Sequence, residues 1–276
     1  MPGLPSREFG QFPTKSGQLC RRQSKFFYWV CKMRFNFDII KKEKLKEIKT
    51  AREKRSLISA IEKKRKKGLV PIIAEIKRVS PGKGKIRDID IVKAAMKMEK
   101  GGACVISVLT DKYFDGSLGD LLKVKEAVNL PILRKDFIVD EFQIEQSCLN
   151  GANAVLLIVS LLKEKTKKFV EMTHQLKMEA LVEIRSEKEI KFALDSGAKL
   201  LGINNRDFET MKVDLTATEK LISKIPRDKI IISESGINDK NDLGRVLKAG
   251  AKAVLIGTSI MLAENIREKV KEFVNL

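Results

Sequence analysis

The chain has 276 residues, 43% hydrophobic and 33% charged, with a formal net charge of +19. That balance fits a globular protein with one large core or two small ones, and no apolar run approaches the roughly 20 residues a membrane span requires. The charge invites a nucleic-acid partner but is unevenly placed: residues 1–68 hold 20 Lys/Arg against 6 Asp/Glu and the rest 35 against 30, which leaves the larger part resembling an ordinary enzyme with a bias toward anionic ligands.

Residues 1–32 carry Pro2, Pro5, Pro13 and scattered basic residues without a period. They read as a disordered or loosely attached extension, with Met33 a candidate start. FFYWV at 26–30 is too short for a span and has no cleavage-site pattern behind it. From Asp38 to Lys67, Ile and Leu are spread among Lys and Glu and the stretch closes at Gly68, which predicts one or two amphipathic helices. The run Lys63–Lys67 reads as a solvated helix face, and is the best candidate for an RNA contact. Residues 33–276, these helices included, are expected to form a single domain.

Leu69–Gly84 opens with a short apolar run and then delivers Glu75, Lys77 and Ser80. Alternation along a strand puts Glu75 and Lys77 on one face. An acid and an amine at the exit of a buried strand read either as a structural ion pair or as a working site. Beyond it, four segments share a Gly-Ala step followed by an apolar strand: GGACVISVL (101–109), GANAVLLIV (151–159), GAKLLGIN (197–204) and GAKAVLIG (250–257). Each interval leaves room for another strand, PILRKDF (131–137), ALVEI (180–184) and KIIISES (229–235). With Val70–Lys77 the strands number eight, and helical patterns fill the gaps. Eight alternations predict a closed (β/α)8 barrel. A doubly wound open sheet is the alternative, but no Gly-rich nucleotide fingerprint follows an early strand.

Such barrels carry their sites at the C-terminal ends of the strands. There the sequence places Glu75 and Lys77, then Phe114, then Lys135 and Phe137, then Leu156, Glu183, Asn204 and Arg206, Glu234 and Ser235, and Gly257 and Thr258. SESGI (233–237) and IGTSI (256–260) offer backbone N–H groups and hydroxyls after strands seven and eight, a phosphate site. Lys135 at a buried strand end near carboxylates could exchange protons or form a Schiff base. The single histidine, His174, lies in a polar helical stretch and reads as a surface residue. Cys104 and Cys148 sit in apolar segments and read as packed thiols of a reducing, cytoplasmic compartment.

EIKRVSPGKG, LTDKYFDGS, ILRKDFIVDEFQI, LVEI, GINNRDF, SESGI and LIGTSIM, in this order over about residues 38–276, resemble the indole-3-glycerol-phosphate synthase family of tryptophan biosynthesis. The resemblance implies a (β/α)8 barrel with an extra N-terminal helical segment over the barrel mouth, and no metal or organic cofactor. It implies carboxy-lyase activity: closure of the indole ring of 1-(2-carboxyphenylamino)-1-deoxyribulose 5-phosphate with loss of CO2 and water. Lys135 would then be the general acid, Glu183 a general acid/base with Glu75 beside it, and Lys77 the partner of the substrate carboxylate. Asn204 and Arg206 would orient the substrate with Glu234 and Ser235. Ser80, Ser235, Gly236, Gly257 and Thr258 would surround the phosphate, and Phe114, Phe137, Leu156 and Phe208 would form a slot for the aromatic ring. Gly82 and Phe208 depart from the family's common residues. The implied partner is a small phosphorylated molecule, with no nucleic acid, no membrane, and a monomer expected although an oligomer stays open. A Schiff-base aldolase and an RNA-binding protein on an inactive barrel are the rival functions.

Overall fold

The computed structural model describes residues 55–80, 84–86, 89–207 and 209–276. The extension at 1–32, Met33, the helical stretch before residue 55, Gly82, Phe208 and the side chain of Ser80 lie outside the described residues.

The eight apolar runs form strands β1 (Ile72–Ile76), β2 (Val105–Leu109), β3 (Ile132–Lys135), β4 (Ala154–Ile158), β5 (Glu179–Ile184), β6 (Leu200–Asn204), β7 (Ile230–Glu234) and β8 (Ala253–Ile256). All pair in parallel with their chain neighbours, and β1 pairs with β8 as well as β2, so the sheet closes into a barrel. Closure excludes the open sheet and leaves no strand edge. Side chains alternate: Ile73, Val105, Leu133, Leu181, Leu200, Ile232 and Leu255 meet inside the barrel, while their neighbours in sequence face the helices.

Between the strands run α2 (Ile91–Gly101), α3 (Leu118–Ala127), α4 (Glu141–Leu149), α5 (Thr166–Gln175), α6 (Glu187–Asp195), α7 (Thr216–Ile222) and α8 (Lys240–Ala249), with α9 (Ile266–Val274) last. The Gly-Ala steps explain themselves at Gly102 and Gly250. These end α2 and α8 in the left-handed region, φ 99° and 116°, and their N–H groups close the last turn. Short helices not read from the sequence follow β4 (Val159–Leu162) and β8 (Thr258–Leu262). His174 is exposed on α5. Burial pushes the Cys104 thiol up to about 12, which leaves it inert at neutral pH.

The helix before β1, α1 (Leu57–Lys66), departs from expectation. Leu57 and Ile61 are fully buried against Cys104, Val105, Leu133 and Ala154, at the starts of the strands. Glu179, the first residue of β5, accepts Leu57 N at 2.6 Å and Ser56 Oγ at 2.7 Å, setting a carboxylate at the positive end of the helix. Arg55 Nη1 donates to Val128 O at 2.6 Å just ahead of β3. The described part of the N-terminal helical segment therefore closes the bottom of the barrel and not its mouth. Ile and Leu periodicity marks an apolar face but does not say which end that face covers.

Candidate active site

The strand exits surround a cavity of about 620 Å³. Alternation carries Glu75, Lys135, Glu183 and Glu234 inward, each two residues beyond an inward apolar residue of its strand, and Asn204 likewise, two beyond Gly202 and four beyond Leu200. Lys77, one residue past β1, turns back onto Glu75, with Nζ 2.7 Å from Oε1. Lys135 Nζ lies 3.4 Å from Glu234 Oε2 and 3.6 Å from Glu183 Oε2. Both carboxylates are essentially without exposure, and none of their oxygens has a hydrogen-bonding partner among the described residues, so the charge of Lys135 is what they face.

This crowding sets the protonation states. Burial alone would lower the Lys135 ammonium, but Glu234, Glu183 and Glu75 more than reverse that and push it above the ordinary lysine value. Burial raises Glu234, and Glu183 and Glu75 add to it against the pull of Lys135, so its carboxyl is pushed up to about 8. Burial would also raise Glu75, yet Lys77, Lys135 and Arg206 hold it below the usual range. Around Lys135 the site therefore holds a protonated amine, a Glu75 carboxylate that cations keep ionised, and a Glu234 carboxyl biased toward its protonated form.

Glycines leave room for these groups. A Cβ on Gly202 would fall 2.1 Å from Glu234 Oε1, and one on Gly257 would fall 2.7 Å from both Glu75 Oε1 and Lys77 Cε. The sequence marked Gly257 for close approach of a phosphate; the structure sets it against the Glu75–Lys77 pair. Gly202 was not singled out, although a glycine on the inward face between two acid-bearing strands was a readable signal.

Asn204 Oδ1 accepts Arg206 N at 3.0 Å, and Arg206 Nη1 donates to Met211 O at 3.1 Å, which holds the loop beyond β6 against the cavity. Asn205 turns away from it: Nδ2 donates to Ser233 Oγ, Glu234 O and Ser235 O, each at 3.0 Å, and Oδ1 accepts from Thr218. That staple holds the turn in which Ser235 (φ 68°) and Gly236 (φ 86°) are both left-handed. Ser235, Gly236, Gly257 and Thr258 line one side of the cavity; Phe114, Phe137 and Leu156 line another, the two rings stacked with centroids 6.3 Å apart. Of the residues expected at the site, the Ser80 side chain and Phe208 lie outside the described residues. Leu109 and Leu255, which also line the cavity, were missed because apolar residues near strand ends look like core, and Val213 because it stands in the loop beyond β6.

The family model described as indole-3-glycerol phosphate synthase matches residues 28–273, opening ahead of Met33. An indole-3-glycerol phosphate synthase of Methanocaldococcus jannaschii is 50% identical over 232 residues, covering 83% of this chain and 86% of the relative. One from Aliarcobacter butzleri is 40% identical over 246 residues, 86% of this chain and 94% of the relative. Among solved structures, a thiamine phosphate pyrophosphorylase from Pyrococcus furiosus superposes with a TM-score of 0.56 at 16% identity, over 74% of this chain and 93% of its own, a likeness of fold alone. A family match across most of the length, on a closed barrel whose mouth gathers the motif residues, leads to one conclusion: the chain belongs to the indole-3-glycerol phosphate synthase family.

Proposed function

We infer that this chain carries out the family's reaction in tryptophan biosynthesis, closing the indole ring of 1-(2-carboxyphenylamino)-1-deoxyribulose 5-phosphate with release of CO2 and water. The observation that carries the assignment is Lys135, protonated and held between Glu183 and Glu234 at the mouth of the barrel. A fixed ammonium protonates the ketone oxygen as the ring carbon bearing the carboxylate attacks, forming the new C–C bond. Loss of CO2 returns the electron pair to the ring. The hydroxyl then leaves as water after protonation, and a carboxylate, Glu183 in our assignment, takes the proton whose loss completes the indole. Lys77, beside ionised Glu75, faces the substrate carboxylate. The stacked Phe114 and Phe137 with Leu156 receive the aromatic ring, and Ser235, Gly236 and Thr258 receive the phosphate. Lys77 and Lys135 share the proton donations between them.

A Schiff-base mechanism requires a neutral amine, and the carboxylates around Lys135 oppose that state. Borohydride with substrate should therefore trap nothing. Turnover of the synthetic substrate, followed by indole fluorescence, tests the activity directly; its absence in the folded protein would refute it. We place the enzyme in the cytoplasm, where the buried free thiols of Cys104 and Cys148 stay reduced. Among the described residues no helix is long and apolar enough to cross a membrane. A monomer acting on a small phosphorylated substrate is the expected form, to be checked by sizing with light scattering.

A further inference from the structure

Arg134 is a charged residue in an apolar place. On β3, Leu133 and Lys135 face into the barrel while Ile132 and Arg134 face the helical layer, and Arg134 is 3% exposed. Its guanidinium reaches three elements. Nη2 pairs with Asp136 Oδ2 at 2.7 Å, Nε donates to Thr110 Oγ1 at 3.1 Å, and Nη1 donates to Gln143 O and Ser147 Oγ of α4, each at 2.9 Å. Thr110 Oγ1 donates in turn to Asp136 Oδ2 at 2.5 Å, and Thr110 N to Lys135 O at 3.1 Å. Asp136 Oδ1 accepts Phe137 N at 2.8 Å.

A buried ion pair is a poor source of stability, because apolar side chains of similar size often do as well or better. Here an apolar side chain would suit the strand–helix interface. What the polar cluster supplies is direction. The residues on either side of Lys135 are tied to each other and to the end of β2, and its carbonyl is held as well. The same cluster fixes the amide of Phe137, whose ring stacks on Phe114. Neither Arg134 nor Thr110 lines the cavity.

We propose that Arg134, with Thr110 and Asp136, is a positioning device behind β3 that aims Lys135 at Glu183 and Glu234 and seats Phe137 against Phe114. Its effect on rate rests on Lys135 being the proton donor inferred above. Arg134→Met keeps the stem and removes the donors, Thr110→Val removes only a hydroxyl, and Arg134→Lys returns a cation. Turnover of the synthetic substrate should show kcat lowered roughly 10- to 100-fold in Arg134→Met, as a misplacement of about 1 Å can do. KM should rise by less than kcat falls, since only the seat of Phe137 is disturbed in the ground state and the phosphate turns are not. Thr110→Val should lose less in the same sense, and serves if Arg134→Met does not fold; Arg134→Lys should recover part of the rate.

Crystal structures of the variants give a second readout that does not depend on turnover: Lys135 Nζ should sit farther from Glu234 Oε2 than 3.4 Å. If wild type proves inactive, the inferred activity fails and this distance alone decides the positioning role. Wild-type kcat in the variants, Lys135 unmoved, or a loss that follows melting temperature and is not relieved by Arg134→Lys would each overturn it.

Discussion

Gly202 on β6 stands in register with Glu183 on β5, and an added Cβ there would lie 2.1 Å from Glu234 Oε1 of β7. The missing side chain is thus the gap that the Glu234 carboxyl fills beside Lys135. Gly202→Ala must push Glu234 aside, and Lys135 with it. Overpacking of this kind costs about 1–3 kcal/mol of stability, while a displacement of about 1 Å at the proton donor costs up to 10²-fold in rate. The variant should fold, with kcat reduced far more than its melting temperature suggests; wild-type kcat would show that Glu234 has no bearing on Lys135.

Glu234 should impose an alkaline limb on kcat/KM. Its carboxyl is pushed up to about 8 by burial and by Glu183 and Glu75, with Lys135 opposing. Above that pH it ionises and adds a negative charge beside Lys135, which then holds its proton harder and donates it less readily. Activity should fall with a midpoint near pH 8, and Glu234→Gln, which cannot ionise, should lack the limb. Stability moves in the same sense. Between 4.5 and about 8 the native state retains a proton that the unfolded chain has released, so stability declines as pH rises through that window. Melting curves from pH 5 to 9 should show the decline in wild type and a weaker one in Glu234→Gln.

Lys135→Met should lower kcat by roughly 10²–10⁴-fold, the range of general acid catalysis, with folding retained. Substantial residual turnover would transfer the first proton donation to Lys77, the other ammonium at the mouth, 2.7 Å from Glu75.

Period-two alternation made much of the site legible. Once the eight strands were counted, the acids, amines and amides at the ends of the apolar runs had to stand at the mouth, and strand alternation accounts for Glu75, Lys135, Glu183, Asn204 and Glu234 among them. Three things were hidden. The seat of α1 depends on contacts with Cys104 and Glu179, far away in sequence, so its amphipathic pattern could not say which barrel end it closes. The protonation of Lys135 and Glu234 depends on distances between strands, which set whether burial or charge wins. The clearance that Gly257 gives Glu75 and Lys77 was hidden as well, because glycine serves both close backbone approach and side-chain clearance and its type does not separate the two.

The seat of α1 has its own test. Leu57 is fully buried at the bottom of the barrel, so Leu57→Ala should destabilise by about 2–5 kcal/mol. The mouth lies at the opposite end, and kcat measured well below the melting temperature should stay close to wild type. Loss of turnover with the fold intact would mean that α1 influences the active site.

The phosphate turns need a variant that does not disturb the charges. Gly257→Val is unsuitable, because its Cβ would fall on Glu75 and Lys77 and would slow chemistry whether or not phosphate binds there. Thr258→Val removes one hydroxyl beside the cavity and preserves shape. A hydrogen bond to a charged group is worth about 1.5–3 kcal/mol, so losing one from a dianionic phosphate should weaken binding by about tenfold or more. The phosphate is remote from the forming ring and anchors ground and transition states alike, so the loss should appear in KM with kcat little changed. Gly236→Ala tests the neighbouring turn. Its left-handed φ of 86° and a Cβ 2.5 Å from Val213 Cγ1 would move the Ser235–Gly236 backbone, and KM should rise in the same way. Inorganic phosphate should compete with substrate in wild type and less well in both variants. If phosphate does not compete in wild type, or if both variants lose kcat at unchanged KM, the phosphate lies elsewhere in the mouth.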